Sequence, residues 1–276
     1  MNWVSPLVVA LLAGGFSSSG GAQERGADRT ERSTQSRGPS DWHLYLSTGL
    51  SYARRAADGG RRTDFHRIPM LARLSKRQFR ISASMPYLIV NGPAAIIGDD
   101  DSDGDGEALA DGKETRKGFG DVNIVGRYRI PEQELGGVEL ELMGRVKLPT
   151  ASRRNNLGTG EVDFALGAEL SREIGMLKPF VSGQYRINGD SPAREFRNTV
   201  ATSVGSGVRL TRRARATLAW DYSQSRIKGR AGSHMLDGGL STRLRRGLTL
   251  TGDAAIGLSK NAPDLRVGAT LTKQAF

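Results

Sequence analysis

The sequence predicts an all-β fold, a transmembrane antiparallel β-barrel of about twelve strands. Three observations predict it. Apolar and polar residues alternate with a period of two in segment after segment from Trp42 to the end of the chain. Glycine supplies 36 of the 276 residues while only 37% are hydrophobic, and after the N-terminus no run of about 18 apolar residues marks a spanning helix. The connections also sort by length: those after even-numbered segments are short, and several after odd-numbered ones are longer. Short turns at one end and longer loops at the other belong to outer-membrane barrels. A soluble sandwich has no reason to sort its loops that way.

The alternation is clearest on either side of a polar connection in 147–170. Val138, Leu140, Leu142, Gly144, Val146 and Leu148 share one parity, and Glu139, Glu141, Arg145 and Lys147 take the other. Beyond the connection, Val162, Phe164, Leu166, Ala168 and Leu170 alternate with Glu161, Asp163, Ala165, Gly167 and Glu169. Each segment therefore has one apolar and one charged face.

Residues 1–22 read as a secretory signal, with Leu7 to Leu12 as its apolar centre and Gly20-Gly21-Ala22 as small residues for cleavage. Residues 23–41 lack an apolar period and read as a disordered leader, and 42–276 form the barrel. Strands are expected from Trp42, over 64–74 and over 79–87, the last two joined at hairpin length. A long excursion over 88–117 carries the acidic run GDDDSDGDGE. Further strands follow over 122–130, 138–148, from 161, 177–187, 199–210, 216–223, 235–244, 248–258 and from 265 to Phe276. Trp42, Tyr52, Tyr87, Tyr128, Trp220 and Tyr222 fall near strand ends, where interfacial girdles form. Phe276 lies out of parity with Leu265, Val267, Ala269 and Leu271, which calls for a bulge or a short overhang.

The net charge of +11 does not point to nucleic acid. Its Lys and Arg are scattered among acids of the same parity, and the 6% of aromatic residues do not interleave with a basic run. A cationic lumen and contacts to anionic lipid and lipopolysaccharide fit better. The absence of Cys excludes disulfides and thiolate metal sites.

Gly118-Phe119-Gly120-Asp121-Val122 opening a strand, then Lys147-Leu148-Pro149-Thr150, Leu157-Gly158-Thr159-Gly160 and Asp163, resemble the outer-membrane transporter family named for the meta pathway of phenol degradation. The resemblance covers the barrel from about Trp42 onward, with Ala151 where the family pattern has Gly. It implies an outer-membrane channel or transporter for small solutes, hydrophobic or aromatic compounds among them. The same location implies the barrel assembly machinery as a partner. In the connection, Pro149 ends a strand because it cannot donate to a ladder, and Gly158 and Gly160 supply positive φ. Arg153, Arg154, Asn155 and Asn156 read as a solvated loop tip.

The candidate lumen-facing residues are Arg67, Arg73, Arg80, Asp121, Arg127, Arg129, Glu139, Glu141, Arg145, Lys147, Glu161, Asp163, Glu169 and Arg186. They make either a polar pore with charge-set selectivity or a charge-paired plug that closes a structural, surface-binding barrel. Asp101, Asp103 and Asp105 before Gly106 resemble the start of a calcium loop, but Gly112 stands where the closing Glu belongs; weak calcium binding is the most they predict, and no other cofactor is expected. A lipid-modifying enzyme is the rival class. Its triad would need His beside Ser, and His234 and Ser233, adjacent in a strand, point to opposite faces. No enzymatic activity is expected.

Overall fold

The computed structural model describes residues 42–56, 62–92, 115–152, 155, 157–190 and 196–276. The signal and leader segments, the acidic Asp101, Asp103 and Asp105, and the loop residues Arg153, Arg154 and Asn156 lie outside the described residues.

Thirteen strand segments form one sheet. They are β1 (His43–Ala56), β2 (Arg62–Lys76), β3 (Phe79–Asn91), β4 (Thr115–Phe119), β5 (Val122–Ile130), β6 (Glu139–Leu148), β7 (Asp163–Ser171), β8 (Leu177–Ile187), β9 (Thr199–Arg209), β10 (Ala214–Ser223), β11 (Ser233–Arg245), β12 (Leu248–Gly257) and β13 (Leu265–Gln274). Every pairing is antiparallel, between sequence neighbours except where β3 also pairs with β5, and β1 closes the ring against β13, from Tyr45↔Gln274 to Arg54↔Leu265. At this seam the Ser47 and Thr272 hydroxyls meet at 2.9 Å inside the barrel. Closure leaves no edge to pair with another chain.

The wall has twelve strands, because β4 and β5 share one position. Asn91 to Tyr87 of β3 pair with β4, and Ser84 to Phe79 pair with β5. The break falls at Gly120-Asp121, where the Gly120 amide still donates to the Pro86 carbonyl at 2.8 Å. Twelve strands about 4.8 Å apart and tilted about 40° enclose a backbone diameter of roughly 24 Å. That interior exceeds what apolar side chains fill, so long polar side chains must line it.

Two sequence expectations are corrected here. The excursion expected over 88–117 is shorter, since β3 runs on to Asn91 and β4 begins at Thr115. Gly158 does not take positive φ, whereas Gly160 does at 76°. No overhang forms at Lys273 to Phe276, because β13 runs to Gln274 and the ladder continues beyond it. Ala275 N–H donates to the Leu44 carbonyl at 2.8 Å and Leu44 N–H donates to the Phe276 carbonyl at 3.0 Å, the two-against-one pattern of a bulge.

Loop lengths sort as the sequence suggests. At one end, Arg77 (φ 50°) serves the β2–β3 turn, Gly175 (φ 62°) the β7–β8 turn and Gly247 (φ 69°) the β11–β12 turn. The longer connections, between β3 and β4, β6 and β7, β8 and β9, and β10 and β11, leave from the strand ends at the other end. We refer to these as the short-turn and long-loop ends; both ends of the barrel sequence lie at the short-turn end.

The packing is inside-out. Large apolar side chains such as Leu50, Leu166, Val204 and Leu218 are exposed on the outer wall, while Ser, Thr, Arg and Glu make up most of the buried side chains. An outer face of this kind is stable only against hydrocarbon. Leu166 sits in the middle of β7 and is 69% exposed, so Leu166→Arg is expected to cost about 2–4 kcal/mol in a bilayer. A denaturant titration in lipid vesicles checks this. An unchanged midpoint would mean that the face does not meet lipid.

Candidate functional site: the charged lumen

The low-exposure parity of each strand points inward, and charge gathers there in two layers. At the short-turn end, β3, β5, β6, β7 and β8 contribute Arg80, Arg127, Arg129, Glu139, Glu141, Glu169 and Lys178. Strand register brings them together: Arg80 opposes Arg127, Arg129 opposes Glu141, and Glu141 opposes Glu169. Glu141 is the hub. It accepts from Arg80 in a short, buried contact and from Arg127 Nη1 at 2.8 Å, and Arg129 Nε stands 3.9 Å away. Glu139 takes Lys178 Nζ at 3.1 Å and Arg129 Nε at 3.6 Å. Lys178 and Glu141 keep only 1% and 4% of their side-chain surface exposed. Charges this far from water persist only when paired and hydrogen-bonded, so the side chains crowd the lumen on this wall.

The second layer lies at the long-loop end and joins the motifs singled out in the sequence. Lys147 on β6 reaches Asp163 at the start of β7 at 2.7 Å and Asp121 at the β4–β5 break at 3.6 Å. Its ammonium also donates to Thr159 Oγ1 at 2.7 Å. Asp121 in turn accepts the Ala151 amide at 2.8 Å, and Asp163 accepts the Gly189 amide at 2.8 Å. Thr150 bridges the broken strand, accepting from the Val122 amide at 2.9 Å and donating to the Gly120 carbonyl at 3.3 Å. Gly158 is needed for close approach: a Cβ there would stand 2.7 Å from Asp121 Oδ2 and 2.8 Å from the Ala151 methyl. A methyl at 151 is tolerated because its neighbour at 158 has none.

This arrangement pins the connection between β6 and β7 against the inner wall. Leu157 is buried with Leu88, Val90 and Ala151, and Phe65 packs against them. The Asn155 amide donates to the Lys117 carbonyl at 3.1 Å, tying the loop to β4. This level therefore combines an apolar cluster with the Lys147 ion pairs, and the layer toward the short turns is ionic.

The remaining sequence candidates fall around these layers. Arg67, Arg145 and Arg186 are buried on inward positions. Arg73 is half-buried with its guanidinium 4.3 Å from the centre of the Tyr45 ring. Glu161 differs from expectation: it precedes β7, in the connection, and is half-buried. Sequence reasoning passed over Lys178, and also Asp237 on β11, which forms a short buried ion pair with Arg266 on β13. Both carry the inward parity of their strands, which was signal enough. His234 packs on the outer wall with Trp220 and Tyr222, at ring separations of 5.5 and 5.0 Å, while Ser233 is buried inside. His66 lies beside Tyr52 at 5.2 Å.

No protein-family model matches the chain, and no curated protein matches it. Among solved structures, an outer membrane channel from Pseudomonas putida F1 is similar with a TM-score of 0.61 at 13% identity, over 87% of this chain and 100% of that one. The CymD monoaromatic hydrocarbon channel aligns with a TM-score of 0.45 at 12% identity, covering 84% of this chain and 88% of that chain. The translocator domain of the autotransporter NalP from Neisseria meningitidis aligns at 0.47 and 9% identity, covering 86% and 89%. The first of these carries the comparison. The fold is a closed antiparallel outer-membrane β-barrel like that of the Pseudomonas putida protein.

Proposed function

We propose that the chain is an outer-membrane channel that passes small solutes through a lumen of paired charges. The observation that carries this reading is the inversion of the wall, lipid-compatible outside and ionic inside, in a closed ring too wide for an apolar core. The short turns then lie in the periplasm and the long loops outside, against lipopolysaccharide. The barrel assembly machinery would insert such a barrel into the membrane.

Hydrophobic or aromatic compounds are the solute class that the family resemblance supports. Leu88, Val90 and Leu157 are closed against one another, and half-buried Phe65 beside them is the apolar group that such a solute would meet at the long-loop end. A planar ring meets it before the ionic layer and passes that layer along the guanidinium planes. The role is passage rather than chemistry.

The deep burial of Glu141 and Lys178 favours one competing reading, a lumen closed at rest by its own side chains. Refolding residues 23–276 and recording single-channel currents in a planar bilayer separates the two. Stable conductance steps support the channel. Silence from a barrel that still shows heat-modifiable gel migration would mean a closed structural protein.

A further inference from the structure

Charge on the outer surface of the short-turn end is uneven. Arg212 and Arg213 in the β9–β10 turn, Arg245 and Arg246 at the β11–β12 turn, and Lys273 near the end of β13 are all exposed. Backbone bonds hold the three segments side by side. The Arg243 amide donates to the Arg213 carbonyl at 2.9 Å, and the Gln274 amide donates to the Gly247 carbonyl at 2.8 Å. Segments 209–215, 243–249 and 271–276 contain no Asp or Glu. The β5–β6 and β7–β8 turns, by contrast, carry Glu132, Glu134 and Glu173. Arg209, Arg215 and Arg243 have interaction partners of their own and belong to the lumen.

The exposed cations stand at the lipid boundary. Leu210 continues the outward parity of β9 from Val204, Leu244 continues that of β11 from Leu240, and both are exposed. Arg212 and Arg245 follow them within two residues, about 7 Å of extended chain. Lys273 shares the outward parity of Leu271 and opposes Leu248 of β12. Hydrocarbon must cover these leucines, so the side chains just past them lie at headgroup depth. Long Arg and Lys side chains snorkel to that level, and anionic lipid attracts clustered cations there. Guanidinium forks also match the oxygens of a phosphate.

We propose that Arg212, Arg213, Arg245, Arg246 and Lys273 bind the phosphate of an anionic phospholipid, whose acyl chains lie against Leu210 and Leu244. Its place in the periplasmic leaflet rests on the outer-membrane channel reading; the binding itself does not.

Thermal unfolding of the refolded barrel in dodecyl maltoside micelles, read by heat-modifiable gel migration, tests the site. Phosphatidylglycerol is added at rising mole fraction, against phosphatidylcholine with the same acyl chains. Phosphatidylglycerol is expected to raise the unfolding temperature well beyond the effect of phosphatidylcholine. Two triple variants that lose equal charge are then compared. One is Arg212→Gln/Arg246→Gln/Lys273→Gln; the other, from exposed positions at the long-loop end, is Arg62→Gln/Lys117→Gln/Lys260→Gln. The half-maximal mole fraction should rise about ten-fold or more in the first and keep the wild-type value in the second. Equal responses of the wild type to the two lipids overturn the site without recourse to any variant. So does a first variant that responds as the wild type does, or an equal loss in both variants, which reduces the effect to net charge. An equal shift with inorganic phosphate would make the ligand a free anion and overturn it too. A barrel that is silent in the bilayer yet prefers phosphatidylglycerol keeps the site and loses the channel.

Discussion

Lys147→Met is expected to lower the unfolding temperature of the barrel sharply and to loosen the connection between β6 and β7. Lys147 is 1% exposed and lies within ion-pair range of both Asp121 and Asp163. Methionine fills its volume but leaves two carboxylates facing each other with no ammonium between them. Removing one partner of a buried pair costs about 3–5 kcal/mol, most of it from the charge left behind. The loss propagates. Asp121 anchors the Ala151 amide and Asp163 anchors the Gly189 amide, so the loop and the strand ends loosen together. Heat-modifiable gel migration reads the unfolding temperature, and protease nicking within 149–162 reads the loop. Lys147→Met combined with Asp163→Asn should recover part of the loss, because one orphaned charge is then gone. If the single variant migrates and resists protease as the wild type does, the ion pairs do not hold the loop.

How much of this was legible beforehand follows from what period two can record. Wherever one face meets lipid and the other meets charge, alternation marks the strand and its parity, as in 138–148 and 163–171. Parity alone placed Glu139, Glu141 and Lys147 on one side. It failed at the end of β3. There Leu88 and Val90 face inward but pack on Leu157, while Tyr87 and Ile89 hold the opposite parity, so both faces are apolar and the alternation disappears. β4 was hidden for a related reason, since a five-residue strand broken at Gly120-Asp121 is too short to show a period. The junction around Lys147 was legible as motifs and not as geometry. Nothing in the spacing says that Thr150 bridges a broken strand or that Gly158 makes room for Asp121. Those are contacts between segments about thirty residues apart, and they exist only once the register is set.

Glu141→Gln is expected to act on stability and on ion selectivity in one stroke. Glu141 is the acid that Arg80, Arg127 and Arg129 share. Glutamine keeps the shape and one carbonyl acceptor, so packing survives, but Arg80, Arg127 and Arg129 lose the carboxylate they share, and the nearby Glu139 is already engaged by Lys178. The expected destabilisation is about 3–5 kcal/mol, the range for breaking a buried pair. The charge of the layer also rises by one unit, and its low dielectric makes each charge count for more than in bulk water. Under a potassium chloride gradient the reversal potential should therefore move toward the chloride equilibrium value. Arg80→Gln supplies the opposite sign, with a shift toward potassium and a similar loss of stability. Stability alone would fall in both variants if the layer were only a structural plug. Opposite shifts in reversal potential require that ions pass beside Glu141 and Arg80, so an unchanged potential in both would place the conducting path elsewhere in the lumen.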